Sequence, residues 1–395
     1  MGTFLPHRQE VHGEEADIIA RALDQPIQSA PLGQLVRPGM QIVIVTSDNT
    51  RPCPNKTLLP PLLERLTAAG IDYTDITIVI ALGLHRPMTE KELRESVGDE
   101  VFSRVQVINH DISDVLEVGK TRRGTPVRIF RPVVEADFRI CVSNVEFHYF
   151  AGYSGGAKAI VPGVAAPITV RANHGHMIES SAVAASLAGN PVREDLEEAA
   201  AMVGIDYILN VVVDEGHRVI DACSGGVEAA HRILCDRLSR AGIVSIPHPL
   251  DIAIVSAGGD PKDINLYQAQ KALDNCAGVV RKGGVIILVA ECKEGYGNDT
   301  FQRWMTSGKE PKDLLEDIRK EFVLGGHKAA AISKVAVQTK IILVTSNKLA
   351  EEQLVGMEVY RDLDAAIEAG FALAGKGADY AVFPYGASIL PKIIA

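Results

Sequence analysis

The sequence predicts an α/β protein of two domains, each built on a mainly parallel sheet. Three observations carry this. Short apolar, β-branched runs end in polar or histidine-bearing loops and alternate with helical stretches, the pattern of strands buried on both faces. Thirty-five glycines and only 5% aromatic residues suit repeated strand-to-helix turns. A length of 395 residues corresponds to about two or three domains at roughly 150 residues each.

In chain order, QIVIVTSD at 41–48 reads as a buried strand. The loop Asp48-Asn49-Thr50-Arg51-Pro52 follows it and leads into a helix over 58–69. DITIVIALGLHR supplies a second strand and loop, and TEKELRESVG a helix with a Thr-x-x-Glu start. VQVINHD and FRICVSNVEF are the third and fourth strands. Alanine-rich sequence predicts a helix over about 180–203, and YILNVVVDE with HRVIDACSGG predicts a hairpin. A helix near 226–239 follows. PHPLDIAIVSAGG then opens a fresh strand-and-glycine-turn unit, with Pro247 and Pro249 at a boundary near 248. KALDNCAGVVRKGGVIILVAEC reads as helix, turn and strand, and KIILVTSN and YAVFPYG add two strands. The expected domains are therefore 1–247 and 248–395.

Composition narrows the function. A net charge of −10 with no basic block argues against nucleic acid, because phosphate backbones demand clustered Lys and Arg. A small anionic substrate stays open, since a pocket can be basic on an acidic protein. The six cysteines, Cys53, Cys141, Cys223, Cys235, Cys276 and Cys292, show no CxxC spacing, so a disulfide framework is not expected. The N-terminal stretch is polar, and no apolar run reaches the ~20 residues of a membrane span. A cytoplasmic protein is expected, and oligomeric state is left open.

The chemistry concentrates at strand ends, where open α/β sheets bind ligands. Arg51 could clamp a carboxylate with Asp48 orienting it, or the two form a surface ion pair in a turn. His85, in Gly83-Leu84-His85-Arg86, suits proton transfer because an unperturbed imidazole titrates near 6.5, although a strand-end histidine is more often only solvated. His110-Asp111 has weaker backing. His148 sits among aromatics in EFHYFAG, as a neutral base or a core histidine. Tyr153-Ser154-Gly155-Gly156-Ala157-Lys158 resembles half of a phosphate loop without the Walker spacing. Lys158 could bind phosphate or carry a covalent adduct. Asn173-His174-Gly175-His176 makes only a partial metal site. Tyr267 and Lys271 share a helix face at i, i+4, with Gln268 beside them.

Taken together, DNTRP at 48–52, GLHR at 83–86, EFHYFAGYSGGAKAIVPG at 146–163, NH at 173–174, GNPVREDLEEA at 189–199, LYQAQKALDN at 266–275 and GGHKAA at 325–330 resemble the nickel-dependent lactate racemase family. The lysine lies ten residues after one histidine and sixteen before the next. The resemblance covers most of the chain. It implies a nickel-pincer nucleotide (pyridinium-3,5-bisthiocarboxylic acid mononucleotide nickel), tethered covalently to Lys158 through a thioamide. The implied metal ligand is His174, the other donors being a ring carbon and two sulfurs of the cofactor. Soft donors in a planar four-coordinate site suit nickel(II).

By the same resemblance, His85 and His148 are the two catalytic histidines. The α-hydrogen of a 2-hydroxy acid is poorly acidic, so its loss as hydride is easier when a histidine takes the hydroxyl proton. Return of hydride to the opposite face, with the second histidine donating, inverts C2. Arg51, Lys271 and Tyr267 are implied substrate contacts. Asp48, Ser154, Gly155, Gly156 and Gln268 are assigned to the cofactor, in an interdomain active-site cleft. The substrate is lactate or a larger 2-hydroxy acid, and cofactor-biosynthesis enzymes are expected partners. Two other readings stand beside this one: a dehydrogenase-like enzyme with a dissociable nucleotide, and a non-catalytic nickel- or cofactor-binding protein. No G-x-G-x-x-G follows the first strand, which counts against the former. Retention of both His85 and His148 counts against the latter.

Overall fold

A computed structural model of the chain describes residues 2–6, 13–214 and 216–394. Part of the polar N-terminal stretch therefore lies outside the described residues. The fold is α/β, with two largely parallel six-stranded sheets. The chain divides into two compact units at Ser239/Arg240, and the N-terminal residues group with the second unit. The reason is a short strand, Gly2–Thr3, that pairs in parallel with Tyr380–Phe383.

In the first unit the strand order is Val219–Gly225, Tyr207–Val213, Phe138–Asn144, Ile42–Ser47, Ile76–Ala81 and Gln106–Asn109. The pairings are parallel except the first, the hairpin expected over 207–226. The central strands are apolar rather than alternating because helices cover both faces. Ile42, Ile44, Ile76, Ile78 and Ile80 pack with Leu58, Leu62 and Leu66 of the helix Asn55–Ala68. The Thr89–Glu92 capping box forms as its spacing predicts.

The helix expected over 180–203 begins only at Pro191 and runs to Val203. Asn190 caps it by accepting hydrogen bonds from the Val192 and Arg193 amides. Proline at the first helical position cannot extend the helix backwards, so the alanines at 182–188 stay in a loop.

The second unit holds Gly2–Thr3, Tyr380–Phe383, Leu250–Ser256, Val280–Val289, Lys340–Val344 and Met357–Tyr360, all paired in parallel. Helices Leu266–Ala277 and Gly326–Ala336 pack on one face of the sheet and Leu363–Ala374 on the other. All six cysteines are free thiols. Among the described residues, no helix is long and apolar enough to cross a membrane.

Candidate active site

Three adjacent parallel strands set the site in the first unit. Ser47 pairs with Ala81, and Thr46 with Val142. The loops carrying Asp48, His85 and His148 therefore leave one sheet edge together.

Asp48 is 5% exposed. Its Oδ2 lies 2.6 Å from Nδ1 of His85, and its Oδ1 accepts the Thr50 hydroxyl at 2.6 Å. Burial pushes the carboxyl up, but hydrogen bonds from His85 and Thr50 and the charges of His85 and Arg51 outweigh it and bring the pKa below the ordinary value. A carboxylate only accepts, so His85 donates from Nδ1. In the neutral ring the lone pair is then on Nε2, as a base needs. The sequence reading has Asp48 orienting Arg51. The structure instead gives the carboxylate to His85, and Arg51 acts on it only through its charge.

His148 stands on a two-residue ladder, Phe147–His148 against Gly152–Tyr153. Its Nδ1 accepts the Ala151 amide at 3.2 Å, and its Nε2 lies 3.3 Å from Nζ of Lys158. Burial lowers the Lys158 pKa well below the usual lysine value, helped by the charges of Arg193 and Arg51 and opposed by Glu146. A neutral amine is a nucleophile, which an ammonium is not. The Arg51 charge thus reaches both Asp48 and Lys158.

Phe150 joins the remaining groups. Its ring meets His148 edge-on at 4.6 Å and His174 at 5.0 Å between centroids. The Lys158 Nζ lies 5.8 Å from the same ring. His174 is buried near the end of the helix Pro167–Gly175, with Nδ1 against Asn173 Oδ1 at 3.1 Å. His176, the other half of the partial metal motif, is 2.8 Å from Glu179 instead.

The glycine loop is held by hydrogen bonds and close contacts within the first unit. The Ser154 hydroxyl donates to the Asn144 carbonyl at 2.9 Å and accepts the Glu146 amide at 2.8 Å. The Gly156 amide donates to Asn210 at 2.9 Å. A Cβ on Gly155, whose φ is +76°, would stand 2.7 Å from Val145, and one on Gly156 would stand 3.0 Å from His231. These glycines are explained by close packing inside the protein.

The helix Pro191–Val203 clamps this loop. Buried Arg193 donates to the carbonyls of Ala151, at 3.0 Å, and Tyr153. Asn190 donates to the Phe150 carbonyl at 2.9 Å. Asp195 accepts from Asn173 at 2.9 Å. Asn173 stands in the partial metal motif, and Asn190, Arg193 and Asp195 in the GNPVREDLEEA stretch, but the sequence assigns none of them a role at the site. Only the Asn-Pro start of the helix was readable; charges on an alanine-rich helix ordinarily face solvent.

His110 is buried, and neither ring nitrogen has a hydrogen-bond partner among the described residues. In the second unit, Tyr267, Gln268 and Lys271 lie on the helix Leu266–Ala277, capped by Asn265. Tyr267 contacts Phe301 and His327 edge-on, and buried Lys328 donates to Gln270 at 2.7 Å.

Residues 1–186 match the model of the lactate racemase N-terminal domain, and residues 246–391 that of the lactate racemase C-terminal domain. The lactate racemase of Thermoanaerobacterium thermosaccharolyticum is 34% identical over 393 residues, 97% of this chain and 92% of that one. The chain belongs to the lactate racemase family. The lactate racemase of Lactiplantibacillus plantarum is likewise 34% identical, over 96% of this chain and 91% of the other. The solved lactate racemase apoprotein from T. thermosaccharolyticum superposes with a TM-score of 0.90 at 32% identity, covering 99% of this chain and 95% of that one.

Membership in the lactate racemase family implies a nickel-pincer nucleotide, and the donors present fit that group. Among the described residues, no group of three or more His, Cys, Asp or Glu side chains is arranged to hold a metal. His174 and Lys158 both approach the Phe150 ring, and one imidazole with one amine suits a metal that arrives with its other donors on an organic group.

Proposed function

We propose that this chain inverts C2 of a 2-hydroxy acid, lactate or a larger analogue, as a racemase or epimerase. The observation that carries the reading is the grouping of His148, Lys158 and His174 around Phe150, with the Asp48–His85 pair at the same sheet edge. Lys158 would hold the nickel-pincer nucleotide as a thioamide, and His174 would ligate its metal. When bound, that group supplies reversible acceptance of the C2 hydrogen as hydride.

The chain's own side chains do the rest. His85, with its lone pair on Nε2 and Asp48 behind it, takes the hydroxyl proton from one enantiomer. His148 is assigned the same role in the mirror orientation, which requires its ring to leave the tautomer that accepts the Ala151 amide at Nδ1, and each returns the proton as an acid. Asp48 stabilises the imidazolium that forms at His85 without itself becoming protonated. Arg51, Lys271 and Tyr267 are assigned to the substrate carboxylate and oxygen. Gln268 is assigned to the cofactor. Ser154, Gly155 and Gly156, which shape the Lys158 loop, are assigned to its phosphate. A partner that synthesises the nucleotide is required.

A panel of enantiopure 2-hydroxy acids, followed by polarimetry on protein made alongside cofactor-biosynthesis enzymes, tests this reading. Racemisation or epimerisation that retains the C2 hydrogen is expected. Rapid exchange of that hydrogen with solvent would favour plain proton abstraction, and turnover only with added nicotinamide nucleotide would favour a dehydrogenase.

A further inference from the structure

A buried chain of polar groups runs from the Val115–Lys120/Pro126–Phe130 hairpin, through the helix Pro191–Val203, to His174. Asp195 is 1% exposed and Asn173 is fully buried. The Thr121 hydroxyl donates to Asp195 Oδ1 at 2.5 Å, and the Thr125 hydroxyl to Oδ2 at 2.8 Å. Asn173 Nδ2 donates to the same Oδ2 at 2.9 Å and to the Val192 carbonyl at 3.0 Å.

Those two acceptors settle which way the Asn173 amide points. Its nitrogen must face Asp195 and Val192, so its oxygen faces His174. An amide oxygen only accepts. The imidazole must therefore present N–H at Nδ1, 3.1 Å away, and in its neutral form the lone pair falls on Nε2. Asp195 also polarises the amide, which makes Nε2 the better donor to a cation.

We propose that Asp195 and Asn173 are positioning residues that lock His174 as an Nε2 metal ligand. This rests on the reading of His174 as the nickel ligand. The tautomer of His174 is decided by a side chain 21 positions further along, tied down by two threonines on a separate hairpin.

The test compares wild type with Asp195→Asn, Thr125→Val and Thr125→Ser. Nitrogen chemical shifts of histidine-labelled, unloaded protein at pH 8 report the His174 tautomer, with His174→Gln assigning the signals. Intact mass reports the Lys158 adduct on loaded protein, and nickel transfer to a coloured chelator reports retention. Wild type and Thr125→Ser should show a proton on Nδ1 only. Asp195→Asn and Thr125→Val should show mixed tautomers and lose nickel about 10–100-fold faster, with the adduct mass unchanged. Wild-type tautomer and nickel loss in both variants would overturn the relay, as would an Nε2 proton in the wild-type protein. If Asp195→Asn does not fold, Thr125→Val against Thr125→Ser carries the comparison. If wild type takes up neither adduct nor nickel, the ligand reading fails, and the tautomers of the unloaded proteins alone decide the relay.

Discussion

Asp48 and His85 share a hydrogen bond of 2.6 Å between a nearly buried carboxylate and a ring whose side chain is 36% exposed. The two residues are 37 positions apart and sit at the ends of neighbouring strands. The buried member fixes the tautomer, and the exposed member can meet a substrate.

Asp48→Asn should keep the fold, because the Thr50 contact to Oδ1 survives. An amide can turn its NH2 towards Nδ1 and leave the proton on Nε2. Turnover should fall at least ~100-fold with little change in KM, by the logic of a misoriented catalytic histidine. Steady-state racemisation kinetics would show it; an unchanged kcat would remove Asp48 from the proposal.

Lys158→Met should abolish the covalent adduct in intact-mass spectra. It should also raise the Tm of the unloaded protein at pH 7. The folded pKa of Lys158 lies well below the unfolded value, so folding is opposed wherever the unfolded chain binds the extra proton. That penalty shrinks as pH rises towards the unfolded lysine pKa near 10.4. The gain in Tm should therefore fade by about pH 10, and a constant gain would point to packing instead.

His110→Leu should flatten the acid side of the stability curve and leave turnover unaltered. Burial lowers the His110 pKa from 6.5 to about 4. The stability held by the neutral ring is complete above the unfolded value and is lost as pH falls towards the folded one. By pH 5 the loss amounts to ~2 kcal/mol. Urea melts at pH 7 and pH 5 would measure it; equal pH dependence in both proteins would contradict the buried neutral ring.

Gly152→Ala should unfold or loosen the His148 loop. The added Cβ would lie 2.0 Å from the Ser186 carbonyl oxygen, at a φ of +77°. Backbone cannot yield as a side chain tip can, so a loss of ~3 kcal/mol or more is expected from the combined clash and strain. Thermal melting would read it, and a wild-type Tm would mean that the 183–190 segment moves freely.

Much of the first sheet was legible because burial on both faces leaves an unbroken apolar run, as in Ile42–Val45 and Ile78–Ile80. The hairpin at 207–226 and the Thr89–Glu92 cap were legible for the same local reason. The helix start at Pro191 was misread because alanine is an excellent helix former, and only the Asn190 side chain, bonded to Phe150, Val183 and Ser186, shows why the loop persists. The close contacts of the glycine pair were not legible, because the residue type reports freedom of backbone and not what approaches it. Its neighbours are Val145 and His231.

The sequence by itself determined the α/β class and ten of the twelve strands of the two sheets and offered the candidate reactive groups, because hydrophobic period and residue chemistry are local properties. Tertiary structure alone decided their pairing: Asp48 with His85, His148 with Lys158, and Asn173 with both His174 and Asp195. Hydrogen bonds reach about 3 Å, whereas several of these partners lie tens of residues apart. Only the register of the strands and the docking of one helix bring such atoms within that reach.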